Sequence, residues 1–249
     1  MSPVVTSLSD FLSHTTRSWS ESVTPRSTLQ TSHLPLIDEV TGGGFPTQAT
    51  TELFTNQMGY GEIKLLLPTL AEFDHVTWIL NPANDIEPHG PALSDAGLDL
   101  NRQLFVVPPT ADDAFWAAEQ AALSGETRAI VVWLHGLQKT REHVVLPRLM
   151  MAAQSTGTTL FVLRPMSAIC LPSSAPLRLQ ITPGHTGKTV IRAIQRGMFF
   201  DTTRSVEVSL SDLEVQPHTP QAPMTQQLSL DLFPLSTQTP TVTLHAHQA

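Results

Sequence analysis

The sequence predicts an α/β domain in which a mostly parallel sheet is flanked by helices and ends in an antiparallel edge hairpin. Continuous apolar runs alternate with helical patterns between residues 49 and 165, as expected for parallel strands covered on both faces. After residue 170 the pattern changes to period-two alternation around a Pro-Gly turn, which is typical of a hairpin. The 249 residues, 41% of them hydrophobic, can build the core of one such domain.

The individual elements follow in order from these patterns. The predicted strands cover residues 49–54, 76–81, 103–109, 128–136 and 158–165. The predicted helices cover residues 62–73, 91–98, 111–123 and 139–155. Pro68 is expected to kink the first of these helices. Asp112 and Asp113 fall in the first turn of the third helix, where negative charge suits the helix dipole.

The two ends of the chain have a different composition. Residues 7–20 place Leu8, Phe11, Leu12 and Trp19 at near-helical spacing behind a possible Ser7 cap, which predicts a short amphipathic helix. A polar linker follows, so residues 1–33 form an N-terminal helix and linker and residues 34–210 form the domain. The 39 residues of 211–249 contain five Pro, six Thr, six Gln and no Lys or Arg. Such a tail is predicted to be disordered.

Charge and cysteine content exclude several classes of function. The formal charge is -8, and no cluster of Lys or Arg interrupts the acidic balance, which argues against direct DNA binding through a large surface. The single Cys170 excludes a disulfide framework within one chain and is predicted to be a small buried hydrophobe. The sequence has neither a secretory leader nor an apolar stretch of about 18 residues. These features predict a cytoplasmic protein without membrane contact.

The sequence offers no cofactor or metal site. Its ten His residues are dispersed without metal-ligand spacing. Glu119 and Glu126 are assigned to a solvated helix face or its exit, and nothing pairs them as a catalytic acid and base. We therefore predict no catalytic residue, no bound metal and no cofactor.

The sequence "PGHTGKTV" at residues 183–190 resembles a phosphate loop only superficially. Its two glycines are separated by two residues, whereas the P-loop motif needs four. The residues after Lys188 alternate as a strand instead of opening a helix. This glycine sequence is therefore interpreted as a hairpin turn.

A better placed glycine turn lies in "ELFTNQMGYGEIK" at residues 52–64, where a strand leads through a turn into a helix. Gly59 and Gly61 could form a phosphate loop, but Glu62 stands where a Lys is needed. A carboxylate at this position would repel phosphates instead of neutralising them. We predict a degenerate phosphate loop that binds no nucleotide.

The strand that would carry the magnesium ligand of a nucleotide-hydrolysing enzyme also lacks its carboxylate. In "AIVVWLHGL" the corresponding positions hold Trp133 and Leu134, followed by His135. Arg164, at the end of "FVLRP", is a candidate contact residue or structural ion-pair residue, and the structural role is favoured. The missing lysine of the phosphate loop and the missing carboxylate of this strand both favour a protein that is not an enzyme.

The order of several motifs resembles a known family. "LIDEVTGGGFPTQATTELF", the glycine turn and "EIKLLLPTLA" resemble the start of a RecA-type ATPase core. Together with "WILNP", "AGLDLNRQLFVVPP", "AFWAAEQAALSG", "VVWLHGL", "FVLRPMSA" and "LRLQI", they resemble the SulA/ImuA group of that superfamily over about residues 34–197. The resemblance implies a RecA-like core that has lost its nucleotide chemistry and is retained for protein contacts.

The resemblance also implies a pathway. ImuA relatives assist SOS-induced translesion DNA synthesis beside the polymerase homologue ImuB and a DnaE-type polymerase, and binding to ImuB or RecA is implied. SulA relatives inhibit the division protein FtsZ and are shorter. The N-terminal segment, the GGGFP turn and the complete first strand favour ImuA, with an FtsZ-binding division inhibitor as the alternative. A working ATPase is a third hypothesis, which would require Lys64 or Lys188 for nucleotide binding.

The tail contains one apolar stretch, "QQLSLDLFP", at residues 226–234. Its motif at 227–233 resembles the peptides that bind a bacterial sliding clamp, and consists of Gln227, Leu228, Leu230, Leu232 and Phe233. The Gln amide would set the register while the apolar side chains fill a pocket. The alternative is a last strand or short helix that folds back on the domain.

Overall fold

The computed structural model describes residues 28–57, 59, 61–80, 87–135, 139–196 and 204–209. The chain divides into two units, residues 1–219 and residues 220–249. All described residues belong to the first unit, so the sliding-clamp-like motif at 227–233 lies outside them.

An eight-stranded mixed sheet forms the centre of the first unit. Its strands are β3 (Thr50–Thr55), β4 (Val76–Ile79), β5 (Gln103–Val106), β6 (Ala129–Trp133), β7 (Thr159–Pro165), β8 (Leu177–Pro183), β9 (Lys188–Arg196) and β10 (Ser205–Ser209). Their spatial order is β10-β9-β8-β3-β7-β6-β4-β5. The six strands from β8 to β5 are parallel, and β9 and β10 are antiparallel additions. The predicted α/β class with a mostly parallel sheet is confirmed.

A separate two-stranded antiparallel sheet precedes the large one. It consists of β1 (Leu29–Gln30) and β2 (Phe45–Pro46), and β1 lies in the stretch predicted as a linker. The backbone of Gly44 passes so close to β1 that a Cβ there would lie 2.1 Å from the Gln30 carbonyl oxygen. The third glycine of "GGGFP" is therefore required by a close backbone approach as well as by its φ of 123°.

The predicted hairpin exists, but its predicted place at the sheet edge is wrong. Strands β8 and β9 pair antiparallel, with Pro183 opposite Thr189. Strand β8 also pairs in parallel with β3, so it lies inside the sheet, and the edge is formed by β10. On β8, the side chains of Leu177, Leu179 and Ile181 are buried in the core.

Helices cover both faces of the sheet. They are α1 (Pro35–Thr41), α2 (Glu62–Leu70), α3 (Gly90–Asp95), α4 (Ala111–Ser124) and α5 (Lys139–Thr156). Apolar residues of α1, α2 and α3 share one core with Leu53 and Phe161 of the sheet. Residues of α4 and α5 share a second core with alternating strand residues such as Ile130 and Leu160. The domain thus has three layers.

Local signals explain where α4 begins and ends. The Thr110 hydroxyl accepts a hydrogen bond from the Asp113 N–H at 3.1 Å, which caps the helix. Gly125 ends α4 in the left-handed conformation with a φ of 72°. Across the described ranges, every helix is too short or too polar to cross a membrane.

Candidate functional site

The predicted phosphate loop lies at the carboxyl end of β3. This strand is flanked on both sides by parallel strands, β7 and β8, and ligands of open α/β sheets bind at such strand ends. The Thr55 hydroxyl donates to the Gln57 carbonyl oxygen at 2.7 Å as the chain leaves the strand. Gly59 and Gly61 both have left-handed φ values, 93° and 91°, and α2 begins directly afterwards. The strand, glycine turn and helix predicted for residues 52–64 are confirmed.

The carboxylate of Glu62 folds back into this loop. Its Oε1 accepts a hydrogen bond from the Gly59 backbone N–H at 2.8 Å, and the residue is only 4% exposed. Its Oε2 is buried without a hydrogen-bond partner among the described residues. Negative charge is favourable at the N-terminus of α2. The Glu62 carboxylate therefore occupies one backbone N–H of the kind that a bound phosphate would need.

The end of β6 is occupied by packing residues. Trp133 stacks against Trp78 with ring centroids 6.4 Å apart, and Leu134 is buried in the core beneath α4 and α5. Neither side chain can ligate a metal ion. Among the described residues, no group of three or more His, Cys, Asp and Glu is placed to hold one.

His135 follows Leu134 and is half-buried at the same end of the sheet. Burial lowers the pKa of its imidazole below the ordinary value for histidine. The Nδ1 atom is buried, and no described residue hydrogen-bonds to it. The structure therefore favours a neutral imidazole at this position.

The lowered pKa of His135 predicts a pH dependence of stability. The unfolded chain binds a proton on this residue more readily than the folded chain does, so stability is complete above the ordinary histidine pKa and falls as the pH is lowered. We expect His135→Gln to lose less stability than the wild type between about pH 7.5 and about pH 5.5. Urea unfolding of both proteins at the two pH values measures this difference, and parallel losses would contradict the prediction.

A cluster of buried charges lies on three adjacent strands, β7, β3 and β8. Glu52 of β3 accepts from Arg164 Nη1 at 3.1 Å and from Arg178 Nε at 2.9 Å. Glu52 and Arg164 are almost completely buried, and Arg178 nearly so. We call these three residues the Glu52 cluster. Arg164 thus has the structural ion-pair role that was favoured for it.

The Glu52 cluster also holds the segment after β7 against the sheet. The Ser173 hydroxyl donates to Glu52 Oε1 at 2.7 Å, and Arg178 Nη2 donates to the carbonyl oxygens of Ile169 and Leu171. Both guanidinium groups stack over the Phe54 ring, at 5.4 and 4.8 Å from its centroid. The two arginines share the Glu52 carboxylate. Arg178 also donates hydrogen bonds to backbone carbonyl oxygens.

Two members of this cluster were not predicted as site residues. Glu52 lies inside an apolar strand in "TTELF", and Arg178 alternates with buried residues in "LRLQI". An acidic residue in a strand buried on both faces requires a cationic partner. That signal was present in the sequence, whereas the identity of the partners was not.

Two predictions about individual residues are wrong. Cys170 is exposed instead of buried, because the carbonyl groups of its neighbours Ile169 and Leu171 point inward to Arg178. Glu119 is buried and not solvated, because it faces α5 and pairs with Arg148 at 2.6 Å. Glu126 is exposed after the end of α4, as expected.

The structure brings together Gly59, Gly61 and Glu62, which are the predicted residues of the degenerate loop. It separates them from Lys188, which is exposed at the start of β9 in the confirmed hairpin turn. The predicted clamp-binding residues at 227–233 lie outside the described residues.

Comparison with known proteins adds no assignment. No family model matches the sequence, and no curated protein matches it significantly.

Proposed function

We propose that the protein is a non-catalytic accessory protein of SOS-induced translesion DNA synthesis, built on a degenerate RecA-like core. It acts in the cytoplasm through contacts with other proteins. The observation that carries this proposal is the Glu62 carboxylate inside the phosphate loop, bonded to the Gly59 N–H at 2.8 Å. A core that is organised for nucleotides and filled by its own side chain is suited to binding partners instead.

The arrangement of the motifs supports a RecA-like core. The GGGFP turn leads into β3, and β3 leads through the glycine turn into α2. "VVWLHGL" includes the end of β6, "FVLRPMSA" covers the end of β7 and the short helical turn after it, and "LRLQI" lies on β8 next to β3. Two of these motifs thus lie on β7 and β8, the strands that flank β3.

Two independent losses support the absence of catalysis. Glu62 replaces the cation that would neutralise phosphates, and Trp133 and Leu134 fill the positions of a magnesium-binding carboxylate. Both replacements are integrated into the fold, one by a backbone hydrogen bond and the other by ring stacking. A substitution that restored the phosphate-binding cation alone would still leave the protein without the magnesium-binding carboxylate. Restoring the carboxylate alone would leave it without the cation.

The proposed partners are an ImuB-like polymerase homologue, RecA and the sliding clamp. The clamp would bind the tail motif at residues 227–233. A single short peptide of this kind gives affinity on the order of micromolar. The tail would thereby bring the domain to the replication machinery without any contact to DNA.

Clamp binding by the full-length protein tests the proposal. We expect Gln227→Ala combined with Leu230→Ala to weaken binding at least about tenfold, since both residues would be anchors. Gln248→Ala combined with Leu244→Ala, in the same tail but outside the motif, is the matched control and should bind like the wild type. Isothermal titration with purified clamp measures all three proteins.

Two outcomes would contradict the proposal. Equal clamp binding by the wild type and the Gln227→Ala, Leu230→Ala variant would remove the role of the motif. Filamentation of cells that overproduce the protein, together with inhibition of FtsZ assembly in vitro, would favour the division-inhibitor alternative. Loss of damage-induced mutagenesis in cells that carry the motif variant would support the proposal.

A further inference from the structure

The outer faces of α4 and α5 form an apolar surface around an ion pair. Arg148 Nε and Nη2 donate to the two oxygens of Glu119 at 2.9 and 2.6 Å, which joins the two helices. Each charged residue is flanked on its own helix, at spacings of three and four residues, by two large apolar side chains. These four residues are between 48% and 68% exposed: Trp116, Leu123, Val144 and Met151. We call them the α4/α5 apolar surface.

Contacts between the two helices support this surface from below. The Arg148 guanidinium stacks over the Phe115 ring at 5.3 Å, and the Thr156 hydroxyl donates to the Ala122 carbonyl oxygen at 2.7 Å. The two helices are thus fixed to each other at their middle and at their C-terminal ends. Four large apolar side chains gathered on such a base indicate a binding surface, whereas isolated exposed apolar residues do not.

The first described residue lies close to the C-terminal end of α5. The Thr47 N–H donates to the Thr28 carbonyl oxygen at 2.9 Å, and the Gln48 N–H donates to Thr159 Oγ1 at 3.1 Å. Helix α5 ends at Thr156, only three residues before Thr159. Thr28 therefore lies near the start of β7, which directly follows α5, and residues 1–27 precede it in the sequence, outside the described residues.

The preceding sequence carries a matching apolar pattern. Within residues 8–19, the four large apolar residues follow the spacing i, i+3, i+4 and i+11 of one helical face. They are Leu8, Phe11, Leu12 and Trp19. The eight residues 20–27 can span up to about 26 Å, and Val144, the residue of the surface farthest from the end of α5, lies about 18 Å along the helix from Thr156. The segment can therefore reach any part of the α4/α5 apolar surface.

We propose that residues 8–19 bind the α4/α5 apolar surface of the same chain, with their apolar face against its four exposed side chains. A short tether gives an effective concentration in the millimolar range, which favours this segment over a second copy or a separate protein at ordinary concentrations. This inference does not depend on the proposed function, because it concerns a contact within the chain.

Protection of an engineered thiol tests the proposal. In a Cys170→Ala background, which removes the single exposed native thiol, Met151→Cys is reacted with a maleimide reagent in the full-length protein. We expect Phe11→Asp combined with Leu12→Asp to raise the labelling rate at least about tenfold, because charges on the apolar face prevent burial. Ser9→Asp combined with Ser13→Asp adds the same charge between the apolar positions and should leave the thiol protected.

Further measurements separate the possible results. Leu36→Cys, exposed on α1 at the opposite face of the sheet, should be labelled equally fast in every background. Leu123→Cys provides a second position if Met151→Cys does not fold. Equal labelling of Met151→Cys with and without the two Asp substitutions would overturn the proposal. Protection that disappears on dilution would assign the surface to a second copy of the chain and would also overturn it.

Discussion

Replacing Glu52 by Ala is expected to lower the free energy of unfolding by about 3 to 5 kcal/mol, which is the usual cost of removing one partner from a buried ion pair. The substitution leaves Arg164 and Arg178 buried without their shared carboxylate, and it removes the hydrogen bond from Ser173. Equilibrium unfolding in urea measures the change. Because domains are stable by only about 5 to 15 kcal/mol, the variant should also unfold at a much lower temperature.

Two controls distinguish this effect from a general loss of side-chain volume. Glu72→Ala removes a partly exposed partner of His33 and should change stability by less than about 0.5 kcal/mol. The triple variant Glu52→Leu, Arg164→Met, Arg178→Met should cost less than Glu52→Ala alone, since no buried charge then lacks a partner. A loss below about 1 kcal/mol in Glu52→Ala would show that the cluster does not stabilise the fold.

Replacing Glu62 by Lys is expected to give the loop an affinity for polyphosphates that the wild type lacks. The substitution removes the carboxylate that accepts the Gly59 N–H and supplies a cation at the N-terminus of α2. With about 10 mM pyrophosphate and a dissociation constant of about 1 mM, the ligand would stabilise the variant by about 1.4 kcal/mol. The melting temperature would then rise by about 3 to 6 °C.

Differential scanning fluorimetry with and without pyrophosphate or ATP measures this shift. Glu62→Gln, which removes the charge without adding a cation, should show a smaller shift than Glu62→Lys. Lys64→Ala in the wild-type background should change nothing, because we expect the wild-type loop to bind no nucleotide. A shift of the wild-type protein with ATP that Lys64→Ala abolishes would instead support the working-ATPase hypothesis.

The sequence predicted the elements of the parallel sheet well, because each strand is a short apolar run between helical patterns. It did not predict β10, since Ser205–Ser209 is a short alternation without a turn motif that marks its partner. The position of β8 beside β3 was also missed. A hairpin pattern indicates that two strands pair, but it contains no information about which other strand lies next to them.

The candidate site was predicted only where its residues are neighbours in the sequence. Gly59, Gly61 and Glu62 are neighbours in sequence, so the degenerate loop could be identified from local spacing. Glu52 is separated by 112 residues from Arg164 and by 126 residues from Arg178. Ion pairs between residues so far apart in the sequence depend on the order of the strands in the sheet. The local sequence patterns did not determine that order.

The central position of β3 has a consequence for the order of folding. Its two neighbours, β7 and β8, are supplied by residues 159–183, so a hundred or so further residues must be synthesised before the strand is paired on either side. Parallel pairing between such distant segments slows folding. During translation Glu52 therefore emerges long before the arginines that neutralise it, and the nascent chain must keep this strand from associating with other chains until residue 178 has left the ribosome.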